Sequence, residues 1–470
     1  MVDRLSTGNT RLDEVLGGGL ARDAINLIVG LPGTGKTILA QQCVTANADP
    51  GRRAVYLSTV SEPLEKILRY AQTLSFFDPG RVGDAIIYDE LGTALGAEGL
   101  TGALEQLRAL ILQNRPGLLV IDGFKAMHSY ARDAGDFRRF LHDLAGMLSA
   151  YPVTCLWLGE YAEDDIGAMA EFAVADAIIV LSQTQADERS ARTVQVRKLR
   201  GGGFLSGKHA YRISSAGYSV FPRLADPTTA EDYGFDLKRV PSGIQALDDL
   251  LEDGYASGSA IMMAGPTGIG KTLMGLHFIF HGTRIGETGL IATLEENPAQ
   301  LERIVRSYGW SLDDDNVALM YRSPVDNYMD EWVQELLDTI ETTGARRVLI
   351  DSLNDLGGAT SDPTRFREYL YSLLQRCSRR GISLAMTYEV TELFGLTRLS
   401  DDAISHLADT VLLLQYRLSG AKLARTITVL KTRASGHNPY VHEFQITPRG
   451  IVLAERPAGQ VTPLTRDAAE

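Results

Sequence analysis

Short apolar runs alternate along the whole chain with longer stretches of helical period, the pattern of a parallel sheet flanked by helices. In the first half the predicted strands are Ala24–Val29, Ala54–Leu57, Leu118–Ile121, Val153–Leu158 and Ala177–Leu181, each bounded by polar or Gly/Pro punctuation. In the second half they recur at Ala260–Ala264, Gly289–Ala292, Arg347–Ile350, Ser383–Thr387 and Thr410–Leu414. The opening segments of the two halves align without a gap at a constant offset of 235 residues: Arg4 with Arg239, Gly8 with Gly243, Leu12-Asp13 with Leu247-Asp248, Gly19 with Gly254, and Gly30–Thr37 with Gly265–Thr272. A repeat of about 230 residues is domain-sized, so the chain reads as a duplicated α/β domain rather than a solenoid. The expected division is a first domain over 1–224, a linker over 225–236 where Pro227, Glu231 and Asp232 break the apolar pattern, a second domain over 237–455, and a polar tail over 456–470.

Composition narrows the class of partner. The chain has 470 residues, 44% of them apolar and 22% charged, as in ordinary globular proteins. A net charge of -13 repels nucleic acid and anionic lipid unless a local basic patch overrides it. Neither is an expected partner. The three cysteines (Cys43, Cys155 and Cys377) form no CxxC pair, no even framework and no metal-ligand spacing. They read as reduced thiols of a cytoplasmic protein. No signal peptide or bilayer-length apolar run is apparent.

Two segments carry explicit chemistry. Gly30-Leu31-Pro32-Gly33-Thr34-Gly35-Lys36-Thr37 and Gly265-Pro266-Thr267-Gly268-Ile269-Gly270-Lys271-Thr272 both satisfy GxxxxGK[ST], each between a predicted strand and a predicted helix. The glycines let the backbone curl so that its N–H groups face phosphates at a helix N-terminus, where the dipole favours negative charge. Lys36 and Lys271 then neutralise phosphate charge, while the hydroxyls of Thr37 and Thr272 suit Mg²⁺. The expected cofactors are ATP and Mg²⁺. A carboxylate at the end of a buried strand would complete the metal side, and Asp122 and Asp351 occupy that position. A further carboxylate is needed to orient the nucleophile. Glu295-Glu296 follows the second strand of the second half, and the ungapped match in the first half is Ser61-Glu62. Adjacent carboxylates also serve as helix-start residues, so both readings stand.

Near the end of each half lies a basic strand-like segment, Arg197-Lys198-Leu199-Arg200-Gly201 and Lys431-Thr432-Arg433. Alternation puts Lys198 with Arg200, and Lys431 with Arg433, on one strand face, where they could meet a neighbour's phosphate or only solvent.

The residues resemble the KaiC family, tandem ATPases and autokinases of the cyanobacterial clock. The resemblance rests on Ser6-Thr7-Gly8 with Leu12-Asp13, both P-loops, Thr293-Leu294-Glu295-Glu296-Asn297-Pro298, Asp351-Ser352, Lys198-Leu199-Arg200-Gly201, and Asp409-Thr410-Val411-Leu412-Leu413-Leu414-Gln415-Tyr416 with Lys431-Thr432-Arg433. It implies two tandem RecA-like P-loop NTPase domains, each a mostly parallel twisted sheet flanked by helices. It also implies a double-ring homohexamer with ATP between subunits, the P-loop and acidic pair coming from one subunit and the Lys-x-Arg strand from the next. Protein partners would complete the system. In such a ring the first domain hydrolyses ATP and the second phosphorylates Ser and Thr residues just ahead of the Asp-Thr strand, which places the serine acceptor at Ser405. His406 stands at the adjoining Thr position, Ser61 replaces one acidic residue, and the tail is shorter than the family's. Ser405 also suits an N-cap or surface hydroxyl. The competing classes are a RecA/RadA-type DNA-dependent ATPase and a nucleotide-gated scaffold with little turnover.

Overall fold

The computed structural model describes residues 3–59, 63–186, 189–224, 238–326, 328–360, 362–390, 404–419, 422–433 and 435–457. The chain divides between Arg223 and Leu224 into two units. The expected linker 225–236 and nearly all of the expected tail lie outside the described residues, and a final strand, Gly450–Pro457, continues past the boundary expected at residue 455.

In the first unit the main sheet has nine strands: β1 (Ile25–Gly30), β2 (Ala54–Ser58), β3 (Ile86–Glu90), β4 (Leu118–Asp122), β5 (Thr154–Gly159), β6 (Ala177–Ala186), β7 (Arg189–Leu199), β8 (His209–Ser214) and β9 (Gly217–Phe221). Their spatial order is β9-β8-β7-β6-β1-β5-β4-β2-β3. The six strands from β6 to β3 are parallel, and β7 to β9 extend the sheet as antiparallel hairpins. The second unit repeats this with β10 (Ala260–Gly265), β11 (Gly289–Thr293), β12 (Val317–Tyr321), β13 (Arg347–Asp351), β14 (Ser383–Glu389), β15 (Thr410–Ser419), β16 (Lys422–Thr432), β17 (His442–Thr447) and β18 (Gly450–Pro457). Its order, β18-β17-β16-β15-β10-β14-β13-β11-β12, is the same topology strand for strand.

Every predicted strand is present, shifted by at most a residue at its start and extended at its end. The edge strands β3 and β12 were not predicted, because sequences such as Ile-Ile-Tyr-Asp-Glu are half-polar and only partly buried. The central strands are legible for the opposite reason. All six residues of β1 and of β10 are buried, since helices cover both faces of a parallel sheet. Ile25, Leu27 and Val29 of β1 point into one apolar cluster and Ile28 into the other. In β10, Ala260, Met262 and Ala264 face one cluster while Ile261 and Met263 face the second.

The repeated opening motif shapes the chain rather than performing chemistry. Asp13 accepts hydrogen bonds from the Thr7 N–H and hydroxyl, both at 2.7 Å, and Asp248 accepts from the Ser242 N–H at 2.7 Å. Leu12 and Leu247 beside them are fully buried. The three cysteines are free and buried, and burial pushes the Cys155 and Cys377 thiols up to about 12. No helix among the described residues is long and apolar enough to cross a membrane.

On β5 the buried Trp157 ring stacks on Phe124 with centroids 4.2 Å apart. Trp157→Ala should therefore destabilise the first unit by about 3–5 kcal/mol, read as an earlier unfolding of that unit, isolated as residues 1–223, in urea denaturation. An unshifted transition of that unit would show that this stack contributes no core packing.

Candidate active sites at the two P-loops

Both P-loops leave a central strand and enter a helix. β1 ends at Gly30 and helix α1 (Lys36–Asn47) starts at the P-loop lysine; β10 ends at Gly265 and helix α2 (Lys271–Arg284) does the same. Gly33 and Gly35 have φ of 82° and 89°, and Gly270 has 116°, in the left-handed region where a side chain is strained. A Cβ at Gly35 would also lie 2.4 Å from Ile213. Lys36 Nζ donates to the Gly30 and Leu31 carbonyls at 2.8 and 3.1 Å, and Lys271 Nζ to those of Gly265 and Pro266 at 2.9 and 3.0 Å. Each ammonium is folded over its own loop. Burial lowers both lysine pKa values, opposed by Glu160 and Asp122 at Lys36, and by Glu389, Glu295, Asp351 and Glu296 at Lys271.

The loop side chains divide into those that brace and those that face out. The Thr34 side chain is buried, with its hydroxyl donating to the Leu31 carbonyl at 2.8 Å, and Ile269 takes the equivalent buried place in the second unit. Only the main chain of either residue can meet a phosphate. Thr267 is exposed. Tyr211 and Tyr218 donate to the Thr34 carbonyl at 2.7 and 2.9 Å, so the antiparallel hairpin β8–β9 holds the first P-loop from behind.

Asp122 ends β4 and accepts hydrogen bonds from Thr37 at 3.0 Å and from the Tyr56 hydroxyl at 2.5 Å. Asp351 ends β13 and accepts from the Thr387 hydroxyl, with Thr272 also bonded to it. Burial raises both carboxyl pKa values. Glu295, Glu296 and Asp351 bring carboxylate oxygens within 4.8 Å of one another. The turn that presents them is shaped by the Thr293 hydroxyl, which accepts the N–H groups of Glu295 and Glu296 at 3.3 and 3.2 Å. Burial, then repulsion from Asp351 and Glu295, pushes Glu296 up to about 7, and one of its oxygens is buried without a partner. Such an orphaned oxygen beside a threonine–aspartate pair fits a hydrated Mg²⁺ or a nucleophile's proton. In the first unit Ser61 and Glu62 lie outside the described residues.

Two site carboxylates escaped the sequence reading. Glu160 follows β5 and lines the first cavity, about 1050 Å³ in volume, beside Lys36 and Thr37; Glu389 ends β14 near Lys271. Each stands 38 residues after the strand-ending aspartate of its unit, a recurrence visible in the sequence that no short motif announces.

The basic pairs lie elsewhere. Lys198 pairs across the sheet with Ile178, at the start of β6, whereas the P-loop follows the far end of the parallel neighbour β1. They therefore sit at the amino edge of the sheet, not beside the P-loop of their own unit. A bulge at Arg197, matched at Leu430, shifts the register there and puts Lys198 opposite Ile178 instead of on the face shared by Val194 and Val196. Lys198 donates to the Phe172 and Ala173 carbonyls, each at 3.2 Å, while Arg200 reaches Asp176 at 3.2 Å. Lys431 donates to the carbonyls of Ala408 at 2.6 Å and Ser405 at 3.3 Å, and Arg433 to that of His406 at 2.7 Å. Ser405 is half-buried in the short turn Ile404–His406.

Sheet order and paired P-loops define a tandem nucleotide-binding α/β protein. The KaiC ATPase family model matches residues 5–225 and again 240–458. The chain belongs to the KaiC ATPase family. It is 28% identical to the circadian clock oscillator protein KaiC 1 of Synechocystis sp. over 465 residues, covering 96% of this chain and 88% of that protein. It is 28% identical to the circadian clock oscillator protein KaiC of Thermostichus vulcanus, covering 97% and 89%, and 27% identical to that of Prochlorococcus marinus, covering 96% and 92%.

Because Glu296 and Asp351 have folded-state pKa values above their unfolded ones, the folded second unit binds the extra protons. With nucleotide and divalent cations chelated, its stability should fall as pH rises from about 4.5 through about 7. Glu296→Gln should flatten that slope and raise stability at pH 8, measured by denaturant titration across the range. An unchanged slope would contradict the assigned crowding of charges.

Proposed function

We propose that this chain forms ATP-driven rings in which the second unit of one subunit phosphorylates Ser405 of the next, and that the phosphorylated ring acts as a signalling or timing switch. The observation that carries this reading is that Lys431 and Arg433 hold the Ser405–His406 segment at the edge of the sheet remote from their own P-loop. A basic pair and an acceptor hydroxyl carried together, away from the unit's own nucleotide site, suit the site of a neighbouring copy. The names of the relatives, circadian clock oscillator proteins, support a timing role, and the family resemblance supports a double-ring homohexamer.

The proposed transfer is an in-line displacement. The Ser405 oxygen attacks the γ-phosphorus of ATP held at the partner's second P-loop; the new O–P bond forms as the bond to the ADP oxygen breaks. Glu296, poised near neutrality, takes the serine proton, with Glu295 orienting the hydroxyl. Lys431 and Arg433 offset the charge that develops on the phosphoryl oxygens. Bound Mg²⁺ supplies charge neutralisation of the phosphates, and Thr272 with Asp351, or Thr37 with Asp122, are the residues that would hold it.

The first unit takes a different part. Lys198 contacts Phe172 and Ala173 where Lys431 contacts Ser405 and His406, so no acceptor hydroxyl stands there. We assign it ATP binding with hydrolysis by water, using Glu62 as the orienting carboxylate and Lys198 with Arg200 as the neighbour's cations. Net charge argues against a DNA-dependent activity.

With Mg²⁺ and γ-labelled ATP, label should appear on the wild-type chain and vanish in Lys271→Ala and in Ser405→Ala. Mixing the two variants should restore label on the Lys271→Ala chains alone, since each supplies what the other lacks. Arg433→Ala should slow labelling by about 10²–10³-fold. Label persisting on Ser405→Ala would overturn the assigned acceptor, and free phosphate without labelled protein would reduce the reading to an ATPase.

A further inference from the structure

The first unit's cavity contains a lysine and a histidine that the ATPase reading does not use. After Asp122 the chain makes a turn, Phe124–Tyr130, from which Lys125 and His128 line the same cavity as Lys36 and Thr37. Each is tied from behind to a carboxylate. Lys125 Nζ lies 2.7 Å from Asp165 and 5.0 Å above the Tyr161 ring. The Tyr161 hydroxyl donates to Glu171 at 2.6 Å, and the same Glu171 oxygen lies 2.9 Å from His128 Nε2. The His128 ring stacks on Phe137 with centroids 3.6 Å apart.

Glu171 anchors this network. Its side chain is fully buried and its second oxygen has no partner. Burial pushes its carboxyl up, but the hydrogen bonds from His128 and Tyr161 more than offset this and hold it below the usual carboxylate range. A buried carboxylate that stays ionised orients the imidazole through Nε2 and leaves Nδ1 as the ring's other polar atom. Lys125, bound once to Asp165, retains further N–H donors.

The second unit lacks this device. Lys125 and His128 stand three and six residues after Asp122; the residues three and six after Asp351 are Asn354 and Gly357. Asn354 is committed to the main chain of Glu389, donating to its carbonyl at 3.1 Å and accepting its N–H at 2.6 Å.

We propose that Lys125 and His128 form an anion subsite in the first unit's cavity that takes phosphoryl oxygens beyond those held by the P-loop. An oriented ammonium beside an oriented imidazole in a partly enclosed polar cavity favours a phosphate, whether the terminal group of a bound triphosphate or the inorganic phosphate left after cleavage. This rests on reading the cavity as a nucleotide site, and it makes the first unit a site that discriminates triphosphate from diphosphate by grip.

The test uses the full chain carrying Lys271→Ala, which silences the second P-loop. Binding of a non-hydrolysable ATP analogue and of ADP is measured by displacement of a fluorescent nucleotide, with and without inorganic phosphate. Lys125→Met and His128→Gln should each weaken the analogue about tenfold and leave ADP within about twofold, with far-UV circular dichroism unchanged. Should the subsite hold the departed phosphate instead, analogue binding persists, and inorganic phosphate strengthens ADP binding in the parent but not in the variants. Equal losses for both nucleotides, or unchanged affinities and unchanged phosphate response, would overturn the subsite. A parent that binds neither nucleotide would instead overturn the nucleotide reading of the cavity itself.

Discussion

Burial of the central strands on both faces is the constraint from which the rest follows. β1 and β10 offer no side chain to solvent along their length, so polar chemistry is confined to the strand ends. At the carboxyl edge the chain turns through glycines, and the P-loop ammonium meets main-chain carbonyls and the strand-ending aspartates' surroundings. Each charge there is kept in place by the others. Burial disfavours every one of them alone, which is why the lysine pKa values fall while those of Asp122, Asp351 and Glu296 rise. A nucleotide polyphosphate enters an edge already paired and partly neutralised.

The topology is kept in both units, while the chemistry at that edge has diverged. The second unit gathers Glu295, Glu296, Asp351 and Glu389 around Lys271, an arrangement that can receive a proton. The first surrounds Lys36 with fewer described carboxylates and adds Lys125 and His128 to the wall. The opposite edge has diverged as well, through the exchange of Phe172 and Ala173 for Ser405 and His406 beneath equivalent lysines. One scaffold thus carries two different charge patterns at equivalent places.

What could be read in the sequence was whatever a contiguous stretch encodes. The ten strands stood out because they are predominantly apolar, and the P-loops because their spacing is fixed by the backbone curl. Asp122 and Asp351 followed from the strands they end. The Tyr56 and Thr387 hydroxyls that hold those aspartates, and the tie between His128 and Glu171, join residues far apart in the chain and leave no local pattern. Strand alternation alone placed Lys198 with Arg200, but which face they occupy depends on a register shift that only pairing reveals.

That register shift has a consequence for how the chain tolerates change. Arg197 and Leu430 are exposed, and their side chains do little to hold the sheet. The bulge takes each of them out of the alternation, however, and so sets the parity of everything after it: Leu199 packs in the core because Arg197 is left out of the ladder. Substitution at these positions is a change of surface, and deletion would close the bulge into a regular ladder that still sets Lys198 opposite Ile178 and Lys431 opposite Val411, whereas a residue that paired in the ladder there would turn Lys198 or Lys431 onto the other face. The facing of the basic pairs thus depends on one exposed residue in each unit staying out of the ladder, and not on which residue it is.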